Sequence, residues 1–392
     1  MSDPVIKGWC PGALRPMMSG DGLVVRVRPR GGRLTPTQAK GIADLSAQHG
    51  NGLIDLSARA NVQLRGVTET DHGPLIDGLS VLGLIDASTE AESRRNVVVT
   101  PFWRDGDGVQ DVVRSLTGAL SHPDAPATPG KFGYAVDCGA EPVLSETSAD
   151  IRIERGPGDA LLIRADGAAT GATATPSTAA GLAIDLARWF LKTGGAPEGR
   201  GRMAAHLARG ARLPDVFTEI PALPRSSAPA SAPGPLPLGF LVGFEFGQIT
   251  AETMSILAEN GPLRITPWRM ILIEGATTLP AIPGLITDPV DPMLRVTACT
   301  GAPGCPQALI ATRPLARALC ASLAPGARLH VSGCAKGCAH PGPAPLTLTG
   351  RSDGTVDLIR NGTAADLPSR TGLSPVTLSA NPALLTETED AP

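Results

Sequence analysis

Two short segments, CTGAPGC at residues 299–305 and GCAKGCAHPG at residues 333–342, hold four of the chain's seven cysteines. Their spacing is Cys-x5-Cys followed by Cys-x3-Cys. A cubane iron–sulfur cluster needs four thiolates converging on one inorganic core, so the fold must bring these distant segments to a common point. Gly301, Pro303 and Gly304 allow the first loop to wrap closely around such a core. Cys334 and Cys338 are four apart, and one helical turn would set both on one face. After Cys305, PQALIAT reads as a helix whose N-terminus would lower a thiolate pKa and offset negative charge. The quartet Cys299, Cys305, Cys334 and Cys338 therefore reads as the ligand set of a [4Fe–4S] cluster. Two alternatives stand beside it. One is a structural zinc site, although zinc favours Cys pairs two to four residues apart around a turn. The other is four unrelated core thiols. Cys320, within LARALCASLA, lies on an apolar helix stripe and reads as core, while Cys10 and Cys138 have no partner spacing and read as structural.

Other classes of function are excluded by composition. The 392 residues correspond to two or three domains at roughly 150 residues each. The formal net charge of -3 gives no basic footprint for nucleic acid, and one Tyr, seven Phe and four Trp are too few for base-stacking platforms. No apolar run of about 20 residues is present, so no membrane span is expected. The N-terminus MSDPVIKGWC lacks the charged and apolar regions of a signal peptide, and cytoplasmic residence is expected. In a reducing compartment cysteines serve as ligands or core thiols rather than disulfides.

The chain also repeats itself. In the first block, residues 23–28 alternate as a strand, with Val25 and Val27 opposite Arg26 and Arg28. Thr35, Pro36 and Gln38 form a helix start with a capping box, and that helix runs past Ile42 and Leu45 to Gly50. Residues 53–56 and 61–65 read as strands. In the second block, residues 238–246 read as a strand, and Ile249-Thr250 opens a helix ending near Asn260-Gly261. Residues 263–266 and 270–273 are strands. Leu34-Thr35 matches Ile249-Thr250, and Arg65-Gly66 matches Glu274-Gly275, so the chain is a duplication with pseudo-twofold character. Residues 222–239, rich in Pro, Ala and Ser, read as an extended linker. A further helix is expected around residues 182–191.

The cysteine motifs, in this order and spacing, resemble the cluster signature of the siroheme sulfite and nitrite reductase superfamily. SARANVQLRG at 57–66 resembles its first tetrapyrrole-binding strand, ESRRNVVVTP at 92–101 its Arg-Asn-Val motif, and GKFGYAVD at 130–137 its Lys-Phe-Lys strand. The resemblance implies an α+β fold of pseudo-twofold design, with ferredoxin-like half-domains and two tetrapyrrole or [4Fe–4S] domains. It implies a first ferredoxin-like half at 1–90, a first tetrapyrrole-binding domain at 91–221, a linker at 222–237, a second half at 238–288 and a cluster domain at 289–392. In that superfamily the last cysteine bridges the cluster to the siroheme iron, which corresponds to Cys338. Tetrapyrrole contacts are implied for Arg59, Asn61, Gln63, Arg65, Arg95, Asn96 and Lys131. The residues themselves give a physical reason for the first four. Arg59, Asn61, Gln63 and Arg65 share parity on an extended strand and would span about 20 Å, and the guanidinium fork suits carboxylates. A solvated strand face is the plainer alternative. The matching face of the second block carries Trp268 and Met270, so only one of the two pseudo-equivalent sites is expected to hold a tetrapyrrole.

The N-terminal stretch KGWCPGALRPMMSGDGLVVRVRPRGGRLT is similar to the precorrin-3B synthases, the oxygen-dependent branch of the superfamily. Gly133 departs from the reductases, which carry a second lysine there; only Lys131 remains, and losing one cation weakens capture of a small dianion. The resemblance implies a monooxygenase of aerobic cobalamin biosynthesis that hydroxylates precorrin-3A with O2 and closes a γ-lactone. It implies a [4Fe–4S] cluster, a mononuclear non-haem iron, and electrons from NADH or a donor protein. Neither nucleic acid nor membrane is an expected partner. Catalytic residues and the ligands of the mononuclear iron stay unassigned. His330 and His340 flank the cluster loop and could be ligands or hydrogen-bonding core histidines; His49, His72, His122 and His206 have no supporting spacing. The alternatives are a siroheme sulfite or nitrite reductase and a non-catalytic metal-binding module.

Overall fold

The helix Pro36–His49 begins as its first residues dictate. The Thr35 hydroxyl accepts from the Gln38 amide, the Gln38 side chain accepts from the Thr35 amide, and Pro36 occupies the first turn. The Gly50 amide closes the helix on the Ser46 carbonyl. In this computed structural model, which describes residues 11–223 and 232–385, that helix packs against its counterpart Ala251–Glu259, capped in turn by Thr250. Cys10 lies outside the described residues.

Beneath the two helices lie two sheets that exchange their edges. The first runs Met17–Ser19, Gly22–Val27, Val62–Val67, Leu53–Leu56, and is completed by Gln248–Thr250 from the second block. The second runs Gly234–Leu236, Gly239–Phe244, Ile271–Glu274, Leu263–Ile265, and is completed by Arg33–Leu34 from the first. The registers are antiparallel, with Gln248 opposite Asp55 and Leu263 opposite Leu34. Each exchanged strand immediately precedes its block's helix, and each covers an edge that would otherwise be open. Leu34, Ile42, Ile54, Leu64, Leu263 and Ile271 are all fully buried in one shared core. At roughly 1.5–3 kcal/mol per buried aliphatic side chain, separating the blocks would cost too much for either to stand alone.

The duplication extends to the outer domains. One sheet runs Val97–Val99, Tyr134–Asp137 and Ile151–Arg155 in parallel, followed by antiparallel strands Leu161–Ala165, Thr170–Ala174 and Ile220–Pro221. The other runs Val296–Ala298, Leu329–Ser332 and Ala344–Gly350 in parallel, followed by antiparallel Val356–Gly362 and Arg370–Leu373. A helix connects the first two strands in each, Val109–Ser121 and Thr312–Cys320 respectively. The helix Ala179–Lys192 stands where one was expected. The architecture is α+β, duplicated and pseudo-twofold. Among the described residues, no helix is long and apolar enough to cross a membrane.

Several local expectations are corrected. The segment after Cys305 forms turns, and its helix starts only at Thr312, so Cys305 is not at a helix N-terminus. Residues 334–338 form turns with Gly337 at φ 59 rather than one helical turn. Residues 57–61 are a tight turn in which Ser57 accepts from the Ala60 amide, so the extended face starts only at Val62. Within the expected linker, residues 234–236 are a strand paired to Gly239–Phe244, and residues 224–231 lie outside the described residues.

Candidate functional site

Parallel pairing brings the cysteine loops together. Ala298 lies opposite Val331 in adjacent parallel strands, so the loops leaving their C-terminal ends emerge side by side. The Gly333 amide donates to Cys299 Sγ at 3.2 Å, and the Leu309 amide donates to the Gly333 carbonyl at 2.8 Å, which ties one loop to the other. Gly333 leaves no room for a side chain, since a Cβ would meet that of Ala308 at 2.6 Å. Burial raises the pKa of the Cys334 thiol, and thiolate charge at Cys299 and Cys305 raises it further. Cys338 is exposed as a residue and lines the cavity described below; desolvation raises its thiol pKa, Lys336 lowers it, and the charges of the other three cysteines raise it further. The donor set, four cysteines on two adjoining loops with a backbone amide aimed at Cys299 Sγ, is of the kind an iron–sulfur core takes. Among the described residues, no three His, Cys, Asp or Glu side chains converge tightly enough for a single ion. Of the remaining cysteines, Cys138 is buried in the core of the first outer domain and Cys320 packs partly buried against that of the second.

A cavity of about 340 Å³ opens beside Cys299 and Cys338, at the junction of both blocks with the last domain. Arg26, Arg59, Arg269 and Arg313 line it, with Gln63, Asp55 and Phe246. Arg59 reaches it from the turn at 57–61, where Ala60 adopts a left-handed φ of 53, and donates to the Lys131 carbonyl at 3.1 Å. Gln63 accepts from Arg26 Nε and Nη2 at 3.1 and 2.7 Å across the strand pair. Asp55 accepts from Gln248 at 2.8 Å and pairs with Arg313 at 3.4 Å, joining strands of both blocks to the last domain.

Of the residues read as tetrapyrrole contacts, Arg59 and Gln63 thus face the cavity, and the others do not. Arg65 spends its fork on Asp21, at 3.0 and 2.6 Å, and also donates to Ser19 and to the Gly304 carbonyl. It clamps the first block to the cysteine loop. Arg95 is buried in a bidentate pair with Asp86, at 2.8 and 2.7 Å, and donates to the Arg28 carbonyl. Asn96 is buried and donates to the Phe132 carbonyl. Asn61 is buried at the head of its strand, and Lys131 is exposed outside the cavity lining. For Arg65, Arg95 and Asn96 the reason is shared: motif and parity identify a face, but a guanidinium or amide already matched by a neighbour has few donors left for a ligand. Gly133 is buried as well, and a Cβ there would meet the Asn96 amide nitrogen at 2.8 Å, so a second lysine does not fit without displacing Asn96. Arg26, Arg269 and Arg313 were missed. Only Arg26 had a legible signal, its place in the alternating strand of residues 23–28, which pairs antiparallel with Val62–Val67 and sets Arg26 opposite Gln63.

His330 is 1 % exposed, and neither ring nitrogen has a hydrogen-bond partner. Its ring centroid is 5.6 Å from that of His340, whose Nε2 lies 3.2 Å from the Pro343 carbonyl. Burial, then the neighbouring His340 and Arg269, depress the His330 pKa to about 4. In the other half, aromatic side chains crowd the corresponding region, beside a cavity of about 290 Å³ lined by Phe102, Arg104, Gly139 and Leu238. Trp268 stacks on Phe102 at 5.8 Å, and Arg264 lies over Trp103 at 3.7 Å while pairing with Glu274.

Residues 15–81 match the nitrite/sulfite reductase ferredoxin-like half domain. A precorrin-3B synthase from Sinorhizobium sp is 30% identical over 400 aligned residues, covering 93% of this chain and 84% of the relative. The chain belongs to the precorrin-3B synthase family. A chloroplastic ferredoxin–nitrite reductase from Oryza sativa subsp. japonica is 33% identical over 100 residues, 25% of this chain and 17% of that protein. The solved structure of the Mycobacterium tuberculosis NirA protein superposes with a TM-score of 0.62 at 16% identity, covering 94% of this chain and 82% of that one. That superposition establishes the sulfite/nitrite reductase-like fold, which the precorrin-3B synthase family therefore shares here.

Proposed function

We propose that the protein hydroxylates precorrin-3A with O2, closing a ring-A acetate to a γ-lactone, in aerobic cobalamin biosynthesis. The observation that carries this reading is the cavity lined by four arginines and joined directly to the paired cysteine loops. An acid-rich macrocycle requires such a lining, because guanidinium groups bind carboxylates in fixed, forked geometry. Arg59 would hold one carboxylate arm from the turn of the first block, and Arg313 another from the last domain. Gln63, already accepting from Arg26, would orient that arginine toward the macrocycle. Asp55 keeps Arg313 aligned and repels substrate carboxylates from its own position. Overall, one oxygen atom of O2 enters the substrate and the other leaves as water, with two electrons and two protons drawn from an external donor such as NADH. Held by Cys299, Cys305, Cys334 and Cys338, a [4Fe–4S] cluster supplies electrons singly to the site when bound.

A mononuclear non-haem iron is the second metal implied by the family. The unpartnered nitrogens of His330, with His340 beside it, offer two imidazoles. No Asp, Glu or third His joins them among the described residues, so the usual two-His-one-carboxylate set is incomplete.

Cys338 in the cavity wall favours one alternative, a siroheme-containing reductase. One experiment separates the two. Protein purified anaerobically is analysed for iron, sulfide and extracted pigment, then given precorrin-3A with O2 and a reductant, and separately sulfite with the same reductant. The proposal expects cluster iron, no siroheme, a hydroxylated lactone product and no sulfide from sulfite. Siroheme in the pigment extract with sulfide production would establish the reductase instead.

A further inference from the structure

Two turns at matched positions in the duplicated blocks carry different residues. Counting back five from the matched pairs Arg65-Gly66 and Glu274-Gly275 aligns Ala60 with Arg269. Both adopt left-handed backbone, at φ 53 and φ 61. A residue with a long side chain meets steric cost in this region that glycine avoids, and such strain persists mainly where function holds it in place. At Arg269 the strained backbone sets direction. The side chain leaves its own block and lines the cavity beside Cys299 and Cys338. Gly247 makes that path possible, because a Cβ there would stand 2.6 Å from Arg269 Cβ. The neighbouring Phe246 is also left-handed, at φ 56, and also lines the cavity. One Arg269 Nη donates to the Ala339 carbonyl at 2.8 Å, directly after Cys338. The second block therefore contributes one cation, beside Phe246, to a site otherwise built by the first block and the last domain.

We propose that Arg269 is a positioning residue that links the cysteine loop to the substrate. Its bond to Ala339 holds the loop carrying Cys338, and its remaining donors take a carboxylate arm of the bound macrocycle. The inference rests on the reading of the cavity as a tetrapyrrole site. A cation at this position stabilises the negative charge a cluster gains on reduction. A carboxylate bound to the same cation offsets that effect, so substrate binding and cluster potential become linked.

The test uses the anaerobically reconstituted holoprotein and the variants Arg269→Ala and Arg269→Lys. Cluster content is measured by iron and sulfide, midpoint potential by spectroscopic redox titration with and without precorrin-3A, and affinity by absorbance titration. Both variants should retain the cluster, because no thiolate is touched. R269A should have a lower potential than the parent, a smaller shift on adding precorrin-3A, and roughly tenfold to a hundredfold weaker binding. R269K keeps the charge without the fork, so its potential should stay near the parent's while its affinity falls; it also carries the test if R269A does not fold. Parental potential and affinity in both variants would overturn this inference alone. A parent protein that takes up neither a cluster nor precorrin-3A would overturn the reading of the site with it.

Discussion

Arg65→Ala distinguishes a structural clamp from a substrate ligand. Arg65 is 5% exposed and holds Asp21 through two bonds of 3.0 and 2.6 Å, with further donation to Ser19 at 3.2 Å and Gly304 at 3.3 Å. Removing one partner of a buried pair costs about 3–5 kcal/mol. The Asp21 side chain is 23% exposed and partly rehydrates, which places the loss near the lower bound, about 3 kcal/mol. For a cooperative unit of 392 residues, at about 2.1 cal/mol/K of unfolding entropy per residue, that corresponds to a fall in apparent Tm of roughly 4 °C. Cluster loss under a chelator should also quicken, because the Gly304 carbonyl loses one of the donors that hold the cysteine loop. Precorrin-3A affinity of the folded, cluster-loaded fraction should stay near the parent's. Thermal melts, timed cluster loss and absorbance titration measure the three effects. Arg59→Ala should show the opposite pattern, with Tm little changed and affinity roughly tenfold to a hundredfold weaker, as expected for a lost charged hydrogen bond. A stable R65A protein that has lost substrate affinity would refute the assignment of Arg65 as a clamp.

Serine replacements of Cys299, Cys305, Cys334 and Cys338 should each deplete iron and sulfide in anaerobically purified protein, whereas Cys138→Ser and Cys320→Ser should not; normal content in all four of the former would remove the cluster assignment. Asp137 gives a pH signature: burial pushes its carboxyl up to about 6, although the Val143 and Leu144 amides donate to it. A raised carboxyl pKa means that the folded state binds the proton more tightly, so stability declines as pH rises from about 4 to about 6 and stays reduced above that. Asp137→Asn should flatten this slope and stabilise the protein at pH 7 by up to about 3 kcal/mol, measured by denaturant melts across pH; an unchanged slope would contradict it.

The two blocks were legible because their signals are local. Thr35, Pro36 and Gln38 specify a helix start within four residues, and Thr250 repeats the cap. The exchange of edges was not legible. Arg33–Leu34 is a two-residue strand, too short to show periodicity, and its partner is some 230 positions away. The site divides on the same line. Spacing marked the cysteines, and parallel strand pairing explains why their two loops leave the sheet side by side. Parity put Arg59, Gln63 and Arg65 on one face, but could not show that Asp21 claims Arg65 while Arg59 and Gln63 stay on the cavity. Arg269 carried no sequence signal beyond its alignment with an alanine, because its role depends on a left-handed backbone and on the space above Gly247.

Oxygenase chemistry in an arginine-lined, cysteine-flanked cavity requires that the new hydroxyl oxygen come from O2. Reaction of precorrin-3A with isotopically labelled O2 in unlabelled water, followed by mass spectrometry of the product, measures its origin. One labelled oxygen is expected in the new hydroxyl, with an unlabelled lactone ring oxygen from the substrate's own acetate, and no product without O2. Product formed anaerobically at an unchanged rate, or a hydroxyl oxygen drawn only from water, would contradict it.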